Sequence, residues 1–184
     1  MPSHKTKRLT AENWLEPDPV STLLGVMDRR DGSVRPLAPG DYVQPALQPQ
    51  LGRMVPEDIC DLYEVARGTL AYGFYFYPLL TLAADQCFRV AEAAVNLKAE
   101  ELSCPKRVSS FGAKIDWLVA AGAIPSHDQE SWHGLRHLRN EGSHPRRQHI
   151  FTPGIAFNTF HHVAELVNTV FASEPSSAPA GGNT

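Results

Sequence analysis

No stretch of this chain approaches the roughly 20 consecutive apolar residues that a membrane-spanning helix needs. Cysteine is scarce as well: Cys60, Cys87 and Cys104 are odd in number, and no two form a C-x-x-C pair. That argues against a disulfide framework and a zinc knuckle, and for a reducing compartment where a free thiol acts as a small hydrophobe. Basic charge is not in excess either. A net charge of −3 excludes the bulk cationic coat of a histone-like binder, so any nucleic-acid site must be local. The start of the chain carries Lys5, Lys7 and Arg8, most simply a solvated end, with no apolar core of signal-peptide length behind them. These absences predict a soluble, cytoplasmic protein with no membrane association.

What is present divides into three parts. Residues 1–52 are rich in proline, at positions 17, 19, 36, 39, 45 and 49. Each removes a backbone donor and clashes with the preceding turn, so this arm should be mostly irregular, its prolines interrupting every would-be helix. One local signal stands out: Asp31-Gly32 between the apolar runs Leu23–Met27 and Val34–Leu37 suits a tight hairpin turn. Residues 53–172 should form a helical bundle, and 173–184 a disordered tail too polar and proline-rich to bury apolar surface.

Within 53–172 the helical period dominates. Pro56 suits a first helical position, followed by Ile59, Leu62, Tyr63, Ala66 and Leu70 on one face. A second helix from about Pro78 to Leu102 carries a broad stripe of alanine with Leu80, Cys87, Phe88 and Val95, suited to a central position. A third begins after Ser109 or Ser110 and stops at Gly122. Ser126 and Gln129 fit a capping box for a fourth, with Trp132, Leu135 and Leu138 inward and Gly142 as its end. Thr152-Pro153 open a fifth, with Ile155, Phe160, Val163, Val167, Val170 and Phe171 inward. The predicted fold is all-α: an antiparallel bundle of about five helices with a mostly irregular, hairpin-containing arm.

Chemistry concentrates where the fourth helix ends. Between residues 133 and 149 stand four arginines and four histidines against one acid, Glu141. Arg139, Asn140 and His144 supply a permanent cation, an amide and a group titrating near neutrality. A continuous helix would set Arg139 and His144 about 140° apart. The break at Gly142 removes that constraint, and Pro145 keeps His144 extended.

The string Arg139-Asn140-x-x-x-His144 resembles the R-x(4–6)-H signature of the HEPN superfamily of small helical bundles. Leu82 to Ala94 resembles the central helix of one bacterial branch of that superfamily, with its arginine and glutamate at Arg89 and Glu92, and Lys114 to Leu118 with Gly122 and Ile124-Pro125 is also similar. The resemblance spans roughly Pro56 to Phe171. It implies a homodimeric, metal-independent endoribonuclease, of the kind found among toxins and phage-defence effectors, with RNA as substrate and an antitoxin-like regulatory protein as a candidate partner. Arg139, His144 and Asn140 would then be catalytic, and Arg136, Arg146 and Arg147 would hold flanking phosphates, with no metal and no cofactor. The competing class is a non-catalytic HEPN-like module binding RNA, nucleotide or a partner protein, in which Arg139 simply pairs with Glu141 or Glu92.

Other constellations carry less. Glu130, His133 and His137 share a helical face with metal-ligand spacing, but the only candidate complement is His161-His162 with Glu165, which leaves the ligand set short. Ser143 beside His144 has no oxyanion element. Tyr72, Phe74, Tyr75, Phe76 and Tyr77 form an aromatic cluster that fits core or oligomer contact better than base stacking.

Overall fold

Helix boundaries follow the capping residues. The computed structural model describes residues 7–142 and 151–172, with α1 Pro19–Thr22, β1 Gly25–Met27, β2 Val34–Pro36, α2 Gly40–Leu47, α3 Glu57–Ala71, α4 Leu79–Glu101, α5 Phe111–Ala120, α6 Gln129–Gly142 and α7 Pro153–Ala172. The last five are the expected bundle helices. Ser110 caps α5 by accepting from the Ala113 amide. Gly122 closes it in the left-handed region at φ 76°, the C-terminal stop that glycine allows without steric cost. The fourth bundle helix departs from expectation at its start. Ser126–Asp128 form a 3-10 turn and the α-helix begins only at Gln129, whose side chain donates to Asp116 on α5.

Helix α4 is the central element, packing most extensively against α3 and α7 and also against α5 and α6. Its alanines let neighbours approach closely, while Leu80, Cys87, Phe88, Val90 and Val95 fill the space between them. Tyr63 of α3 stacks on Phe160 of α7, ring centres 4.4 Å apart. Two inward expectations fail for a reason of register. Counting about 100° per residue from Phe160, Ala156 falls on the buried side of α7 and Ile155 about 100° away from it; Ala156 is buried and Ile155 is 49% exposed. Leu138 likewise turns outward, 41% exposed.

The arm is mostly irregular and contains the hairpin, with Gly25–Met27 antiparallel to Val34–Pro36. Its turn is longer than a two-residue Asp-Gly loop. Asp28 N donates to Ser33 O, Gly32 N donates to Asp28 O, and Gly32 takes the left-handed position at φ 74°. Pro45 does not prevent α2, which is short and contributes Tyr42 and Ala46 to the same core as the bundle. Arg35 and Asp41 tie the hairpin to α2 through two parallel contacts of 2.7 and 2.6 Å.

Two charged groups fasten the arm to the α3–α4 junction. Fully buried Asp18 accepts from Val20 N and from Tyr77 N. Lys7, expected to be solvated, is instead buried and donates to the carbonyls of Glu16 and Tyr75. The Asn168 amide of α7 bridges Gly52 N and Gln50 O. Among the described residues, no helix is long and apolar enough to cross a membrane.

Candidate functional site at the α4–α6 seam

On α4 the residues Thr81, Asp85, Arg89, Glu92 and Asn96 fall within about 80° of arc, so they form one polar stripe beside the apolar face. This stripe meets α5, α6 and the entry to α7. Arg139 Nη2 lies 2.8 Å from Glu92 Oε2. Lys114 of α5 donates to Asn96 Oδ1 at 2.8 Å. Phe151 N donates to Thr81 Oγ1 at 3.2 Å, where the chain enters α7. Burial pushes the Asp85 carboxyl above the ordinary aspartate range, with Arg89 opposing the shift.

The reach of Arg139 toward α4 follows from register. With Trp132 set at zero, Leu135 stands at about 300° and Arg139 at about 340°, while Leu138 stands at about 240°. Arg139 therefore continues the buried stripe of α6 beyond Trp132 and Leu135, and its side chain remains 40% exposed. Asn140 is exposed beside it. The side chain of Arg136, one turn earlier, runs over Gly112: a Cβ added there would stand 3.4 Å from Arg136 Cδ. Arg136 Nη2 lies 3.1 Å from His137 Nε2. His144, Arg146 and Arg147 lie outside the described residues, as does Ser143.

A second polar cluster joins α5 to α6. Asp116 Oδ1 accepts from Gln129 Nε2 at 2.8 Å and lies 2.9 Å from His133 Nε2. The His133 hydrogen bond, then that of Gln129, hold the Asp116 carboxyl below the usual range. This cluster separates His133 from its anticipated companions, since its Nε2 faces α5 and not Glu130. His161 and His162 each approach Glu165 on their own helix, at 3.2 and 3.8 Å. Among the described residues, no group of three or more His, Cys, Asp or Glu is placed to hold one metal ion. Three buried nitrogens in this region, Trp132 Nε1, His133 Nδ1 and Arg136 Nε, have no hydrogen-bond partner among the described residues.

Of the anticipated residues, the described structure thus sets Arg136, Arg139 and Asn140 along one end of α6. It adds Glu92, Asn96 and Lys114, which the sequence reading did not single out as site residues in their own right. The available signal was the polar stripe at i, i+4, i+8, i+11 and i+15 beside the broad apolar face of α4.

The family described as Domain of unknown function (DUF4145) matches residues 71–178, more than half of the 184-residue chain. The chain belongs to the DUF4145 family. The DUF4145 region begins at the end of α3 and takes in α4 to α7, hence every group of the α4–α6 seam. It leaves out the arm and almost all of α3. No curated protein and no solved structure matches the chain.

Proposed function

We propose that this protein is a metal-independent endoribonuclease of the HEPN type, working in the cytoplasm as a homodimer. The observation that supports this reading most directly is Arg139: a part-exposed guanidinium at the end of α6, oriented by a carboxylate of the central helix, beside exposed Asn140 and five residues before His144. A carboxylate partner orients a guanidinium without exhausting it, because the group carries five N–H donors in a planar fork.

The chemistry uses the RNA's own 2′-hydroxyl. One imidazole takes its proton as the 2′-oxygen bonds to phosphorus. The bond to the 5′-oxygen breaks, and a second imidazole protonates that leaving oxygen, giving a 2′,3′-cyclic phosphate and a free 5′-hydroxyl. The two proton transfers lie on opposite sides of phosphorus, so a two-fold dimer contributing one His144 from each copy suits the task. Arg139 stabilises the charge that builds on the phosphorane, Asn140 orients the imidazole or binds phosphate, and Arg136, Arg146 and Arg147 hold neighbouring phosphates. In a toxin or phage-defence setting, a regulatory protein would hold this activity in check.

A second reading has an observation of its own. The 2.8 Å Arg139–Glu92 pair is also what a latch between α4 and α6 requires, as in a non-catalytic module. RNA cleavage in EDTA separates the two. The nuclease reading expects cleavage that falls at least about 100-fold in Arg139→Ala and in His144→Ala, with a bell-shaped pH–rate profile near neutrality. Absence of cleavage by the intact protein, or cleavage unchanged in both variants, overturns it.

A further inference from the structure

One turn along α4 from Glu92, the polar stripe reaches an open cleft of about 370 Å³ whose lining includes Asn96, Glu100, Cys104, Lys106, Ser109 and Lys114. Two cations face one acid there, inside a chain whose net charge is −3. The acceptor for the Lys114 ammonium is the neutral Asn96 amide, so its hydrogen bond orients it without cancelling its charge. Arg139, by contrast, is paired with a carboxylate. The two anchors, Glu92 and Asn96, are four residues apart on one helix face, about 6 Å along the axis. Arg136, lying over Gly112 at the start of α5, adds a third cation between α5 and α6. Residues 112 and 114 stand about 200° apart on α5, so Arg136 and Lys114 flank that helix on different sides, and the cleft's own cations are Lys106 and Lys114.

We infer that this cleft is a phosphate subsite for the RNA strand on which Arg139 acts, with Lys114 and Lys106 binding a backbone phosphate outside the cleaved linkage. This rests on the nuclease reading for its substrate, and it names two binding residues beyond Arg136, Arg146 and Arg147. Asn96 is a positioning residue that holds Lys114 over the opening. Ser109 offers a hydroxyl donor at the rim, and Glu100 limits the site to one net positive charge, appropriate for a single phosphodiester.

The test is RNA binding by the full-length His144→Ala protein, which separates binding from cleavage. A single-stranded oligonucleotide is titrated by fluorescence anisotropy at several salt concentrations, with and without Lys106→Gln and Lys114→Gln together. The glutamine at 114 can still meet Asn96, and Lys106 is exposed, so the fold should survive; a thermal melt checks this. The expected result is a loss of affinity on the order of 10-fold and a salt slope shallower by roughly 0.7, the value for one backbone phosphate on a single strand. Lys106→Glu alone should weaken binding in the same direction. RNA should also slow alkylation of Cys104, which lines the cleft, but not of Cys60, which does not.

Unchanged affinity and slope in the double variant would overturn the subsite while leaving the nuclease intact. Equal binding of a nucleoside monophosphate and the oligonucleotide, both lost in the double variant, would make the cleft a mononucleotide site and overturn the strand assignment. Lysine-dependent binding without any cleavage by the native protein would keep the subsite and remove the nuclease.

Discussion

The two sides of helix α4 are built on opposite principles. Toward α3 and α7 it presents mainly apolar groups closed over by the Tyr63–Phe160 stack, with Gln86 donating to the Leu62 carbonyl and buried Lys98 set over the Phe171 ring. Toward α5, α6 and the entry to α7 it presents Thr81, Asp85, Arg89, Glu92 and Asn96, and its neighbours meet Thr81, Glu92 and Asn96 with single polar contacts. The apolar side stabilises through many small dispersion and burial gains that depend on shape. The polar side holds part-exposed charges, whose pairing contributes little to stability but sets where donors point. One helix thus separates what keeps the chain folded from what it offers to a ligand.

That separation can be broken by experiment. Phe160→Ala removes a fully buried ring and its stacking partner contact, and should cost about 3–5 kcal/mol of unfolding free energy in a denaturant titration. A loss of this size in any seam variant would contradict the division. Arg139→Ala should show the reverse pattern: an activity loss equivalent to about 2.7–4 kcal/mol of transition-state stabilisation, with stability within roughly 1 kcal/mol of the native protein. The arm tests whether a buried charge can belong to the stability side. Asp18→Ala loses the α1 cap and leaves the Tyr77 amide without its acceptor, so about 2 kcal/mol of destabilisation is expected, with RNA affinity unaltered.

The smallest effect sharpens the polar side. Asp116 is held below the ordinary carboxylate range, so its pairing stabilises the fold above that range and is lost as pH falls through the lowered value. Asp116→Asn should therefore melt slightly lower than the native protein at pH 7, by less than about 1 kcal/mol because the group is well exposed. The difference should vanish in acid, as followed by melting curves from pH 7 to pH 2. A gap that widened on acidification would mean the cluster has been misread.

Much of this was legible beforehand because helix starts and stops are local chemistry. Pro56, Ser110, Gly122 and Pro153 mark boundaries through atoms within a turn of themselves. The inward faces of α3 and α4 followed from period alone. Errors arose where period was extended past its register, as with Leu138 and Ile155, or where a side chain found a partner far away in sequence. Lys7 reaches the Tyr75 carbonyl across 68 positions, and Asp18 reaches the Tyr77 amide across 59. Gln129 was assigned to its own helix end, but its side chain donates across to Asp116. Arg139 was singled out for its neighbours in the string; its contact with Glu92, one of two pairings left open, is formed across the α4–α6 packing.

Local propensity by itself therefore settled the helical class, the five bundle segments and the cationic end of α6, since each depends on interactions among near neighbours. Which charges face one another across α4, α5 and α6, and that a proline-rich arm shares the core through Tyr42 and Ala46, were decided only on folding. Such contacts join residues tens of positions apart, and their partners are chosen by helix register and by the cost of leaving a buried polar group unmatched.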